Sequence, residues 1–125
     1  MITAEALQQN LAHCTGTEQW HQHPLGITYT DGIKILAEDA QCHWLIDAIA
    51  SHQKSYQIIY NPDLQQFQLW LLTVNEDKSA VLACYEDSPS TCELVITQLI
   101  PMTDFILPEI KLYLEQGTLL LPSEH

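Results

Sequence analysis

The sequence predicts a single α+β domain: an antiparallel meander of about three to four strands packed with three to four helices. Three observations point there. Apolar residues recur at helical spacing through the first half of the chain. Three β-type segments separated by short polar loops follow between residues 67 and 100. The length, 125 residues with 46% apolar, suits one globular domain that can bury enough surface to fold without a disulfide or a metal.

Residues Thr3 to His13 read as a helix, with Thr3 as its cap, Glu5 at the positive end, and Leu7 and Leu11 one turn apart. Thr15-Gly16-Thr17 ends it. Glu18 to Gly26, dense in Trp20, His21, His23 and Pro24, reads as a loop, and Ile27 to Thr30 as a short strand. Asp31-Gly32 reads as a turn into a short helix, Ile33 to Ala40. Cys42 to His52 is the clearest helix, with Trp44, Leu45, Ala48 and Ile49 as its apolar stripe. Tyr56 to Tyr60 fits either more helix or a strand, before the turn at Asn61-Pro62-Asp63.

Phe67 to Val74 is apolar on both faces, which predicts a central strand in a sheet covered on both sides. Asn75 to Ser79 is a hairpin loop, Ala80 to Tyr85 a second strand, Glu86 to Thr91 a loop, and Glu93 to Ile100 a third strand. Leu107 to Gln116 reads as the last helix. Pro108 suits its first turn, Gly117 suits the position just past its end, and Ile110, Tyr113 and Leu114 form its buried face. Thr118 to Leu121 is a final apolar stretch.

The net charge is −12, from 16 Asp and Glu against 4 Lys, with no Arg. Lys34, Lys54, Lys78 and Lys111 are scattered. Phosphate recognition needs clustered cations, so direct binding of nucleic acid or anionic membrane is excluded as an expectation. Solubility explains such acidity, and a basic protein partner is the sharper reading. The N-terminus lacks the basic and apolar regions of a signal peptide, and the longest strictly apolar run is Leu69 to Leu72. The expected compartment is the cytoplasm, with the four Cys reduced.

No constellation of catalytic, cofactor-binding or metal-ligating residues emerges. The cysteines lack metal spacing. Cys84 and Cys92 flank a loop centred near Ser88, which places them opposite each other on adjacent strands. A disulfide or a shared ion there competes with the commoner reading, small buried apolar residues. His13-Cys14 and Cys42-His43 are neighbours whose side chains diverge by about 100° on a helix, so neither forms a nucleophile–base pair alone. His21-x-His23 offers two metal ligands without a recognisable third. His43 and Asp47, at i, i+4, form a surface pair. Trp44 and Trp70 belong to the core. Asp104 caps or orients the last helix.

Three stretches carry a resemblance: YTDGIKILAEDAQCHWLIDAIASHQ (29–53), FQLWLLTV (67–74) and TDFILPEIKLYLEQGTLLLPSEH (103–125). They cover nearly half the chain and resemble a family of small bacterial proteins, common in cyanobacteria and on mobile elements, known only as a domain of unknown function. Its pattern of Tyr-Thr-Asp-Gly, Trp-Leu-x-Asp-Ala-Ile-Ala, Phe-Gln-x-Trp, Thr-Asp-Phe and Leu-Leu-Leu-Pro-Ser-Glu is present here, while His125 stands where Tyr is more usual. The resemblance implies one compact domain and transfers no activity. The polar members of its motifs mark where a shared site would lie: Thr30, Asp31, Asp47, Thr103, Asp104, Ser123 and Glu124. Ser123 and Glu124 stand out because chain ends are usually frayed, and docking of that segment explains them without a function.

Three functions follow as expectations. One is a non-enzymatic interaction module, accessory or regulatory, with a protein partner. Another is an acidic inhibitor that mimics nucleic acid toward a DNA-processing or defence protein, which requires carboxylates aligned on one surface. The third is a small enzyme, which requires Asp31, Asp47 and Asp104 to converge in a cleft.

Overall fold

The structure, a computed structural model, describes residues 3–14, 19–86 and 94–124. Among them the chain runs α1 (Ala4–Ala12), β1 (Trp20–Gln22), β2 (Thr28–Thr30), α2 (Asp31–Asp39), α3 (His43–His52), α4 (Tyr56–Ile59) and α5 (Pro62–Gln66). Five strands follow: β3 (Phe67–Val74), β4 (Ala80–Tyr85), β5 (Leu94–Ile100), β6 (Glu109–Glu115) and β7 (Thr118–Leu120). A 3-10 turn, Pro122–Glu124, comes after them. The class is α+β, as the sequence indicates. No described helix is long and apolar enough to cross a membrane.

The sheet is larger and more mixed than a meander. Its order is β1-β2-β7-β6-β3-β4-β5 among the described residues. The expected meander β3-β4-β5 is present, antiparallel throughout, with a register shift between Cys84 and Tyr85. β2 and β7 pair in parallel, which a meander does not contain.

Alternation sorts each strand's side chains onto two faces. Trp70, Leu72, Leu82, Cys84, Ile96, Ile110, Leu112, Leu114 and Leu119 point to one face. There they join Leu7 of α1, Ile33 and Leu36 of α2, Leu45 and Ile49 of α3, Ile58 of α4 and Leu64 of α5 in one core. The described helices all pack on this face. The expectation that β3 is central holds, because it lies between β6 and β4, and it is buried on both faces at its middle, Leu69 as well as Trp70, although the described helices lie on one side only.

The expected helix from Leu107 to Gln116 is strand β6. Its burial alternates, with Ile110, Leu112 and Leu114 inside and Glu109, Lys111 and Tyr113 turned away, which is a period of two. Gly117 does not end a helix. It shares the β6–β7 turn with Gln116, both with positive φ (84° and 48°), the pattern of the tight I′ hairpin turn. Residues 20–22, expected in a loop, form β1 and pair with β2. Residues 56–59 are helical. In α3 the buried positions are Leu45, Ile46, Ile49 and Ala50, so the stripe is rotated by about one residue and Trp44 is half-buried.

Candidate functional site

Four of the seven motif residues gather around the start of α2. The Thr30 hydroxyl caps the helix, accepting from the Ile33 N–H at 3.4 Å, and donates to Glu124 Oε1 at 2.7 Å. The same Oε1 accepts from the Leu121 N–H at 3.1 Å, and Oε2 accepts from the Gly32 N–H at 3.3 Å. Glu124 is therefore a second cap, supplied from a sequence separation of 94 residues from Thr30. It places a carboxylate where α2 presents orphan N–H groups and the positive end of its dipole. The Ser123 hydroxyl donates to the Cys14 carbonyl at 2.6 Å and ties the same turn to the end of α1. A Cβ on Gly32 would lie 2.7 Å from Glu124 Cδ and 2.8 Å from Leu121 Cδ1, so Gly32 is required by this docking. The motifs at 29–32 and 119–124 are two halves of one latch.

Asp31, the fourth, also belongs to a neighbouring arrangement. Its Oδ1 lies 2.9 Å from His21 Nε2, and its Oδ2 accepts from the Gln19 N–H at 3.3 Å. Asp47 does not meet its helix neighbour His43. It bonds His23 Nε2 at 2.6 Å, and the His23 Nδ1 accepts from the Leu25 N–H at 3.0 Å. A neutral His23 must then carry its proton on Nε2 and donate it to Asp47. These two His–Asp pairs fasten β1 and the following turn to α2 and α3.

Thr103 and Asp104 lie elsewhere, between β5 and β6. Thr103 is buried, its hydroxyl accepts from the Phe105 N–H at 3.1 Å, and its N–H donates to the Lys78 carbonyl at 2.8 Å. Asp104 caps no helix, since β6 follows; it borders an open hollow of about 540 Å3 with Trp44 and Met102. Asp31, Asp47 and Asp104 thus sit on three elements with separate partners or surroundings.

The described thiols are protonated at neutral pH. Burial pushes Cys42 and Cys84 up to about 12. Cys14 is raised by burial and then by the carboxylates of Glu124, Asp31 and Asp39. A pairing of Cys84 with Cys92 lies outside the described residues. Among the described residues no three His, Cys, Asp or Glu side chains are grouped to hold a metal.

A buried polar network escaped the sequence reading. Gln68 and Gln53 exchange side-chain hydrogen bonds at 2.7 and 2.9 Å, and Trp70 Nε1–H donates to Gln68 Oε1 at 2.8 Å. His52 stacks on Trp70 and meets Gln98 at 2.6 Å. The i, i+2 spacing in Phe-Gln-x-Trp was its signal, because it puts Gln68 and Trp70 on one face of a strand. The network explains that motif as core satisfaction.

The face of the sheet opposite the helices has a different composition. Leu69, Leu71, Ala83, Tyr85, Leu99 and Tyr113 lie on it by register. Leu69 is 3% exposed and Leu99 75%, so the middle of this face is buried while the β5 side is open to solvent. At the other end, Trp20 is opposite Thr30, which adjoins Leu120 through the β2–β7 pairing. There Trp20, Phe67, Leu120, Glu115, Thr30 and Glu124 border an open hollow of about 660 Å3. Phe67 is held edge-on by Tyr113, with ring centroids 5.1 Å apart. The alternation of 109–115 was the signal for this surface, and the helical reading of that segment concealed it.

The described carboxylates are spread over α1, α2, α3, α5, the β3–β4 loop, the end of β4, the β5–β6 connection, β6 and the 3-10 turn. No curated protein and no solved structure matches this chain. A family profile matches residues 5–125, nearly its whole length, and so the chain belongs to DUF6876, a family of unknown function.

Proposed function

We propose that this domain is a non-enzymatic interaction module that docks a basic protein partner on the helix-free face of its sheet. The carrying observation is that face. A two-layer fold normally leaves polar residues on the solvent side of its sheet, whereas here Leu99 (75% exposed) and Trp20 (63% exposed) stand at its two ends and Leu71, Tyr85 and Tyr113 are part-exposed between them, beside Thr73, Thr97, Glu109, Lys111 and Glu115. Such a surface suits a flat protein contact. The net charge of −12 sets the sign of the partner and favours fast encounter with a cationic surface. The groups that would serve catalysis have internal duties: Glu124 and Thr30 cap α2, the two His–Asp pairs fasten β1, and the buried thiols stay protonated. The spread of carboxylates over many elements supports this reading over an inhibitor that imitates a phosphate backbone.

The test is site-directed photocross-linking in host lysate. A benzophenone at Leu71 gives a discrete cross-linked species, and the same probe at Lys34 on the helical layer does not. Equal labelling from both positions, or no discrete species from Leu71, overturns the proposal.

A further inference from the structure

We infer that β5 is a dimerisation edge: two copies of this chain join their β5 strands antiparallel about a two-fold axis, and their sheets become one. This goes beyond the docking reading above and uses the edge of the sheet, not its face.

β5 ends the sheet. Among the described residues it pairs with β4 alone, and no backbone outside β4 bonds to residues 94–100. One row of its N–H and C=O groups therefore has no strand beside it. Soluble proteins protect such rows with short strands, Pro, Lys or bulges. β5 runs for seven residues, Leu94-Val95-Ile96-Thr97-Gln98-Leu99-Ile100, without Pro, Gly or any charged side chain. Its one protection is the register shift at Leu94 and Val95, and from Ile96 to Ile100 the pairing is regular. An open row of this kind takes another extended strand.

The strand fits its own copy. Overlap of the regular stretch puts Gln98 opposite Gln98 of the partner subunit, Thr97 opposite the partner subunit's Leu99, and Ile96 opposite the partner subunit's Ile100. Residues opposite each other share a face. Leu99, 75% exposed in the single chain, thus gains a neighbour on the helix-free face. On the other face Gln98 Oε1 meets His52 Nε2 at 2.6 Å, which leaves its amide N–H groups for Gln98 of the partner subunit.

Charge and symmetry favour this occupant over others. Neither β4 nor β5 carries Asp, Glu, Lys or His, so two chains of net charge −12 meet on strands that hold none of it. A cationic partner finds no carboxylate on those strands. The other edge among the described residues, β1, has three residues. Head-to-tail joining of β5 to β1 would bond at most that length and grow into an open filament. Joining β5 to β5 closes on itself and leaves only the short β1 edges outside.

The experiment is sedimentation velocity of the full chain over a concentration series, with backbone amide exchange followed at the two ends of the series. The expected result is a species of twice the chain mass that grows with concentration. Salt strengthens it, because screening weakens repulsion between two acidic chains. Amides between Leu94 and Ile100 exchange more slowly in that species, while those of Trp20 to Gln22 are unchanged. Thr97→Lys combined with Leu99→Lys sets lysine opposite lysine across the joint and weakens dimerisation at least tenfold, although it lowers the net negative charge. Gln22→Lys, the same addition on the opposite edge, leaves it unchanged. All three positions are exposed, and the exchange result on the native chain stands whether or not the double variant folds. The inference is overturned by a monomer at every concentration, by a dimer that salt dissociates, or by an open series of growing oligomers. Protection gained at residues 20–22 in place of residues 94–100, or equal weakening by Gln22→Lys, overturns it as well.

Discussion

The space beside the Gly32 Cα is taken by Glu124 and Leu121. At most exposed helical positions Gly→Ala stabilises by up to about 1 kcal/mol. Here the added methyl meets two side chains, and overpacking of this kind costs about 1–3 kcal/mol. Gly32→Ala is therefore expected to lower the urea midpoint. In a Glu124→Ala background much of the obstruction is gone, and the same substitution becomes close to neutral. Equal cost in both backgrounds would show that the close approach is not what requires glycine. Glu124→Gln keeps the shape and loses the charge at the helix end, for an expected loss of about 1 kcal/mol in the same urea measurement. The motif residues were visible in the sequence, but their purpose was not. No local pattern says that a carboxylate at 124 caps a helix that starts at 31.

At the scale of elements, what was legible in sequence was what local periodicity decides. The meander β3-β4-β5 and helices α1 and α3 follow from spacing over a few residues. β6 was misread because Ile110, Tyr113 and Leu114 also fit a helical face, and Pro108 and Gly117 bracket the segment as helix ends would. Sheet pairing on both sides settled the conflict: β6 bonds to β3 and to β7. β1, β2 and β7 span three residues each, too short for a periodic signal, and exist because they pair. The hairpin between β6 and β7 offers a direct check. Gln116 holds φ of 48°, a region that asparagine tolerates better than glutamine. Gln116→Asn is expected to stabilise the fold by about 0.5 kcal/mol in thermal or urea unfolding, and a helix there would gain nothing.

For the whole molecule, the buried thiols predict an alkaline limit. Cys42 and Cys84 hold their protons up to about 12, against 9.0 for an exposed thiol. Between those values the unfolded chain binds fewer protons than the folded one, so stability falls as pH rises. Their contribution is fully present below pH 9 and is lost toward pH 12. Each thiol adds a slope of up to about 1.4 kcal/mol per pH unit. Urea unfolding at about pH 8 and about pH 10 should show a larger loss in the native sequence than in a Cys42→Ala, Cys84→Ala variant, by roughly 2–3 kcal/mol. The sheet itself has a seam. β1 and β2 come from residues 20–30, β3 to β6 from residues 67–115, and only β7 joins the two blocks. A ribosome makes the first block early and must travel to residue 120 before its bridge exists. Until then β2 has an open edge and α2 lacks its second cap, so an arrested nascent chain that stops before Thr118 should remain protease-sensitive between residues 19 and 42. Thr118, Leu120 and Glu124, which close the molecule, also border the hollow beside Trp20, and assembly of the sheet waits for them.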